Sequence, residues 1–173
     1  MSRRLLTTVH IYLRCFLFLL LAAALVAAGP TQAQKKAPKF SATGIQVLYV
    51  QTGDLRLPPE FQVALYENLI EEVKKTKKFQ RVFRDGEKDA EQWKDLVTLR
   101  SEVRGFTEGS ARARQVTTVA GATKIKVRLQ ITTRDGRMIV DRDVDGNVRF
   151  FGENLRATYN FAKSAGKLVR ENF

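Results

Sequence analysis

The sequence predicts an α+β fold, a two-layer sandwich in which a mostly antiparallel sheet of about five strands carries two helices on one face. Three observations lead there. Between Thr123 and Val148, Ile125, Val127, Leu129 and Ile131 alternate with Lys124, Lys126, Arg128 and Gln130, the period of a half-buried strand. Asp135-Gly136 then precedes a second run beginning at Met138, and Asp-Gly is a preferred hairpin turn. Two further stretches, from Leu57 to about Lys78 and from Glu153 to Phe173, place apolar residues at helical spacing. The expected order is β-α-β-β-β-β-α.

The N-terminal segment reads as an address. Arg3, Arg4 and Arg14 precede a nearly pure apolar run from Cys15 to Gly29, and Thr31-Gln32-Ala33 offers small residues for a signal peptidase. The run is short for a membrane span, which needs about 20 apolar residues. Residues 1–33 are therefore expected to be a secretory signal cut after Ala33, and a retained anchor is the alternative. Cys15 stands at the front of the apolar run, where a lipid-modified N-terminus would not place it. Residues 34–42, with Lys35, Lys36 and Lys39, read as a flexible basic leader to a single domain of residues 43–173.

Cleavage would remove the only cysteine and the only histidine, Cys15 and His10. What remains has no thiol nucleophile, no imidazole and no disulfide, which excludes Ser–His and Cys–His catalysis and zinc or copper sites built on those side chains. Loss of three arginines from a net charge of +12 leaves +9. For an exported chain such an excess suits anionic lipid, anionic wall polymer or an acidic partner surface, not nucleic acid.

The elements follow in order. Ile45 to Val50 is apolar on both faces and suits a covered strand. Pro58-Pro59-Glu60 opens a helix on which Phe61, Leu65, Leu69 and Val73 form a stripe widened by Ala64, Tyr66 and Ile70. Lys74, Lys75, Lys77 and Lys78 complement its dipole and form a candidate patch. Phe79 to Arg84 is a short strand turned by Asp85-Gly86, and the piece to Lys94 is loop or short helix, with Trp93 as a core plug. A third strand spans about Leu96 to Phe106, and Gly105 marks a bulge or bend. The stretch from Gly109 to Ala122 is an excursion carrying Arg112 and Arg114, which with Arg104 are the candidate contacts for an anionic partner.

The hairpin register can be worked out. A two-residue turn at Asp135-Gly136 sets Arg134 opposite Arg137, Ile131 opposite Val140 and Val127 opposite Val144. On the other face Arg128 meets Asp143 and Lys126 meets Asp145, two expected structural charge pairs. Arg142 falls on the core face opposite Leu129, which calls for a snorkelling side chain or a bulge. The last helix packs through Leu155, Thr158, Ala162, Ala165 and Val169, flanked by Phe161 and Leu168. Ala162, Ala165 and Gly166 let it lie close to the sheet.

Two motifs compete with these readings. Asp141, Asp143, Asp145 and Gly146 match the start of a calcium loop, but its twelfth position is Gly152 where a glutamate is required. A strand also cannot wrap an ion. Ser164 and Lys167 have S-x-x-K spacing in mid-helix, without the further motifs of serine enzymes that use it. No metal, cofactor, catalytic residue or small-molecule substrate is assigned.

The pattern as a whole resembles an exported bacterial family known as domain of unknown function 4410. The likeness rests on the Ile45–Val50 strand, a long helix ending in Lys77-Lys78-Phe79 before Arg81-Val82-Phe83, and Gly105-Phe106-Thr107-Glu108-Gly109-Ser110 followed by arginine. Gly121-Ala122, the alternating strand, the Asp-Gly hairpin and the final helix complete it. The resemblance implies a small envelope protein. Many such proteins are lipoproteins, and this chain departs from them in lacking a cysteine after the apolar run. The expected function is non-enzymatic binding of another envelope protein or an anionic envelope surface, in the periplasm or outside the cell. A retained signal would make the chain membrane-associated.

Overall fold

A computed structural model describes residues 39–110, 112–113, 121–148 and 153–173. Strands β1 (Gly44–Val47), β2 (Arg81–Arg84), β3 (Leu96–Thr107), β4 (Thr123–Thr133) and β5 (Met138–Val148) form one sheet in the order β2-β1-β3-β4-β5. Among the described residues, helices α1 (Pro59–Lys75) and α3 (Arg156–Asn172) are the two long ones, and α2 (Asp89–Gln92) is a single turn. The α+β sandwich and element order are as expected. The antiparallel character belongs to β3-β4-β5, whereas β1 pairs in parallel with both β2 and β3. Strands of four residues carry too little pattern to reveal their direction.

The core lies between the sheet and the two long helices. Phe61, Leu65, Leu69 and Val73 of α1 are all buried, as are Ile45, Val47, Leu99, Ile125, Val127, Leu129 and Ile131 of the strands. The stripe at four-residue spacing thus faces the alternating strand positions, as each period requires. From α3, Ala157, Phe161, Ala162, Ala165 and Val169 complete the layer. Tyr66 anchors the β1–β2 end. Its hydroxyl donates to the Val47 carbonyl and accepts from the Asp85 N–H, at 3.3 and 2.8 Å, and burial raises its pKa.

Small residues permit the close approaches, though not all where the periodicity suggested. Gly166 faces the backbone of Glu72 on α1, with 3.3 Å from a built Cβ to the Glu72 carbonyl oxygen, so it serves helix–helix contact. The closest passage of α3 over the sheet occurs at Gly146. A Cβ there would lie 2.2 Å from the Ala157 carbonyl oxygen and 2.6 Å from Phe161 Cβ.

A second, smaller core sits on the other face. Phe83, Ala90 and Leu96 are buried there with Trp93 against them. The indole stacks edge-on to Phe83 at 5.3 Å and donates through Nε1 to Thr43 Oγ1 at 2.8 Å. Trp93 is a plug, on the face opposite the long helices. That plug covers only the β2–β1 end of the sheet.

At the hairpin, Arg128↔Asp143, Lys126↔Asp145, Val127↔Val144 and Ile131↔Val140 are register partners. The tip departs from the two-residue turn. The register shifts between Ile131 and Thr132, Gly136 N–H donates to the Thr133 carbonyl at 3.0 Å, and Gly136 has φ 85°. The three-residue turn, with Gly136 left-handed, pairs Thr133 with Arg137, one place off the expected register, and the extra residue Ile139 in β5 restores the expected ladder from Ile131↔Val140 onward. Arg134 and Arg137 consequently diverge. Arg134 donates to the carbonyls of Ala90 and Glu91, while the Arg137 guanidinium lies 4.9 Å from the Phe40 ring centroid. Arg142 does stand opposite Leu129, and it is exposed because β5 is an edge strand.

Candidate functional site

With α1 and α3 on one side and Trp93 plugging one end of the other, no helix among the described residues covers the outer face of β3-β4-β5. Alternation dictates what it carries. The residues between the core positions point outward, and they are Arg100, Glu102 and Arg104 on β3, Lys124, Lys126, Arg128 and Gln130 on β4, and Asp141, Asp143 and Asp145 on β5. The charge is sorted by strand, basic along β4 and acidic along β5.

Within this face one carboxylate is tightly held. Arg128 donates through Nε to Asp141 Oδ1 at 2.8 Å and through Nη2 to Asp141 Oδ2 at 2.6 Å, and Gln130 adds a longer bond at 3.4 Å. The register sets Arg128 opposite Asp143, but its guanidinium grips Asp141, the diagonal neighbour. Sheet twist brings the diagonal within reach of a long side chain, and the planar fork then prefers the carboxylate it can meet with two bonds. Arg128 and Asp143 are register partners as expected, and the hydrogen bonds of the guanidinium go to Asp141. Lys126 and Asp145 are opposed in register and yet form no ion pair among the described residues.

The hydrogen bonds from Arg128 hold the Asp141 carboxyl below the usual carboxylate range and raise the Arg128 pKa in return. A depressed folded-state pKa contributes stability above the unfolded value and loses it as pH falls through the folded one. Asp141→Asn is therefore expected to lower the melting temperature at neutral pH, with the gap to wild type closing in acid. Asp143→Asn should leave melting nearly unchanged. A gap for Asp141→Asn that is independent of pH would contradict the pairing.

Arg104 lies on this face and pairs with Glu102 at 3.0 Å. Past the register shift between Val103 and Gly105, a shallow depression is lined by Gly105, Thr107, Lys124, Lys126, Asp145 and Asn147. The bulge that Gly105 suggested sets this residue, which has no side chain, opposite Lys126. Arg112 is exposed in the excursion between β3 and β4, and Arg114 lies outside the described residues. Of the two described candidates, Arg104 belongs to the sheet face and Arg112 to the excursion. Asp141, Asp143 and Asp145 follow one strand face about 7 Å apart, and no cluster of His, Cys, Asp or Glu among the described residues could hold a metal ion.

Sequence reasoning missed the bidentate bond from Arg84 to Glu67, at 2.6 and 2.7 Å, which ties β2 to α1. It depresses the Glu67 pKa. No short-range pattern links residues that distant in the chain.

No protein-family model matches the chain, and no curated protein matches it in sequence. Solved structures match its fold. The PelC dodecamer from Paraburkholderia phytofirmans superposes with a TM-score of 0.56 at 10% identity, covering 78% of this chain and 91% of that one. A single-substitution variant of that dodecamer gives 0.55 at 9% identity with the same coverage. The hypothetical protein CT253 from Chlamydia trachomatis gives 0.49 at 9% identity, over 73% of this chain and 92% of that one. At these identities the likeness is one of fold.

Proposed function

We propose that the chain is an exported, non-enzymatic binding domain of the bacterial envelope that docks a protein component through the open face of β3-β4-β5. The observation that carries the reading is that face, which no helix among the described residues covers: three strands of 11 or 12 residues with cations along β4 and acids along β5. A charge-sorted surface selects a partner by complementarity and rejects like-charged ones. The signal-like N-terminus supports export, and the likeness of the residue pattern to domain of unknown function 4410 points the same way. PelC, which shares the fold, is a dodecamer, so a second copy of this chain belongs among the candidate partners.

A face-specific variant tests this. Arg100→Gln combined with Lys126→Gln changes only exposed outer-face positions and sets no like charges opposite each other, so the fold should melt as wild type. The variant is expected to leave the complex in which the wild-type chain sediments from gently solubilised envelopes. A complex of unchanged size, from a variant that melts normally, would sink the proposal.

A further inference from the structure

Two basic stretches that are far apart in sequence, the leader and the lysine cluster after α1, meet at one end of the domain. Phe40 N–H donates to the Asn172 carbonyl at 2.7 Å, and Lys39 Nζ to the Arg170 carbonyl at 2.9 Å. Lys78 Nζ donates to the Phe173 carbonyl at 3.3 Å, and the rings of Phe40 and Phe79 both stack edge-on to Phe173. The hairpin tip closes the ring, with Arg137 over Phe40 and a groove running from Phe40 past Lys94 to Arg134. The pole so formed exposes Lys77, Lys78, Lys94, Arg134, Arg137 and Arg170. Against them stand Asp95 and Asp135, with Glu171 paired to Lys167. Beside the tip, Met138 is 47% exposed. Arg112 lies beyond the other end of β3, so the candidate cations separate into two poles.

We infer that this pole is a docking surface for an anionic lipid bilayer, oriented so that the open sheet face stands upright from the membrane. A cluster of exposed cations with an exposed apolar side chain beside it fits such a surface, where headgroups take the charge and the methionine enters the interface. The position of the chain start argues for lipid over other anions. Residues 1–38 lead directly into this pole, and they contain the Cys15–Gly29 apolar run and then Lys35 and Lys36. Lys39 stands ten steps along the chain from Gly29, a reach of about 35 Å at most. A retained apolar segment would hold the pole at the bilayer, and a cleaved one would leave the pole to bind by its own charge. The inference shares the export reading but not the docking face, so either can fail alone.

Residues 38–173 form a compact unit with the whole described core, and this unit serves as the test protein. It should sediment with vesicles of phosphatidylglycerol and phosphatidylcholine at low salt, and neither with pure phosphatidylcholine nor at high salt. Lys77→Gln, Lys94→Gln and Arg170→Gln together should weaken partitioning roughly a hundredfold, at about fivefold per cation. Arg100→Gln with Arg112→Gln, away from the pole, should weaken it far less. The unit contains no cysteine, so a polarity-sensitive dye on Met138→Cys reports orientation. Its emission should shift to the blue on anionic vesicles, and the same dye on Ser110→Cys should not respond. Absence of binding to anionic vesicles, equal losses in the two variant sets, or equal dye responses would overturn the inference.

Discussion

Gly146→Ala is expected to destabilise the domain by about 3 kcal/mol or more, at the upper end of overpacking costs. The added Cβ would stand 2.2 Å from the Ala157 carbonyl oxygen and 2.9 Å from the Phe161 backbone nitrogen. Both are helix backbone and cannot rotate away, so α3 would have to lift from β5. Gly146 is not among the glycines with positive φ, so the cost comes from crowding and not from backbone conformation. The same glycine would be the turn residue of a calcium loop, and there alanine would fail for the opposite reason. Denaturant unfolding without calcium separates the two accounts, because a large loss in calcium-free buffer follows only from the helix contact. Unchanged stability would mean that α3 crosses β5 elsewhere.

Phe161→Ala should cost roughly 3–5 kcal/mol, the usual range for truncating a buried aromatic ring. Phe161 is fully buried on α3, among the largest side chains in the core. Its Cβ survives truncation, as does the Ala157 carbonyl, so combining it with Gly146→Ala should bring no rescue. A loss near 1 kcal/mol, within the common run of surface and near-surface substitutions, would place the ring outside the core. Against a typical domain stability of about 5–15 kcal/mol, either substitution removes a large share.

The contrast between the hairpin and the pole marks what a sequence of this kind carries. Residues 125–131 alternate cleanly and pair with 140–146 as expected, although the register is reached through a three-residue turn and an extra residue at Ile139 that offset each other. The tip was not legible, because a three-residue turn and a two-residue turn use the same residues and differ in backbone geometry. The partner of Arg128 was not legible either. Register names the residue opposite, whereas twist and side-chain reach decide which carboxylate is gripped. Leader and lysine cluster were each visible as basic stretches, but only tertiary packing of Phe40 and Phe79 on Phe173 joins them. Trp93 could be read as a plug, yet its face depends on parallel pairing of strands four residues long.

The docking-face proposal is tested most directly by site-specific photocrosslinking in intact envelopes. A photoreactive residue replaces Lys126 at the centre of the outer sheet face or, separately, Ser164 on the exposed side of α3. The account predicts a discrete adduct from position 126 and none from position 164, and the adduct's mass tells a second copy of the chain from another protein. An adduct from position 164 with none from position 126 would contradict it.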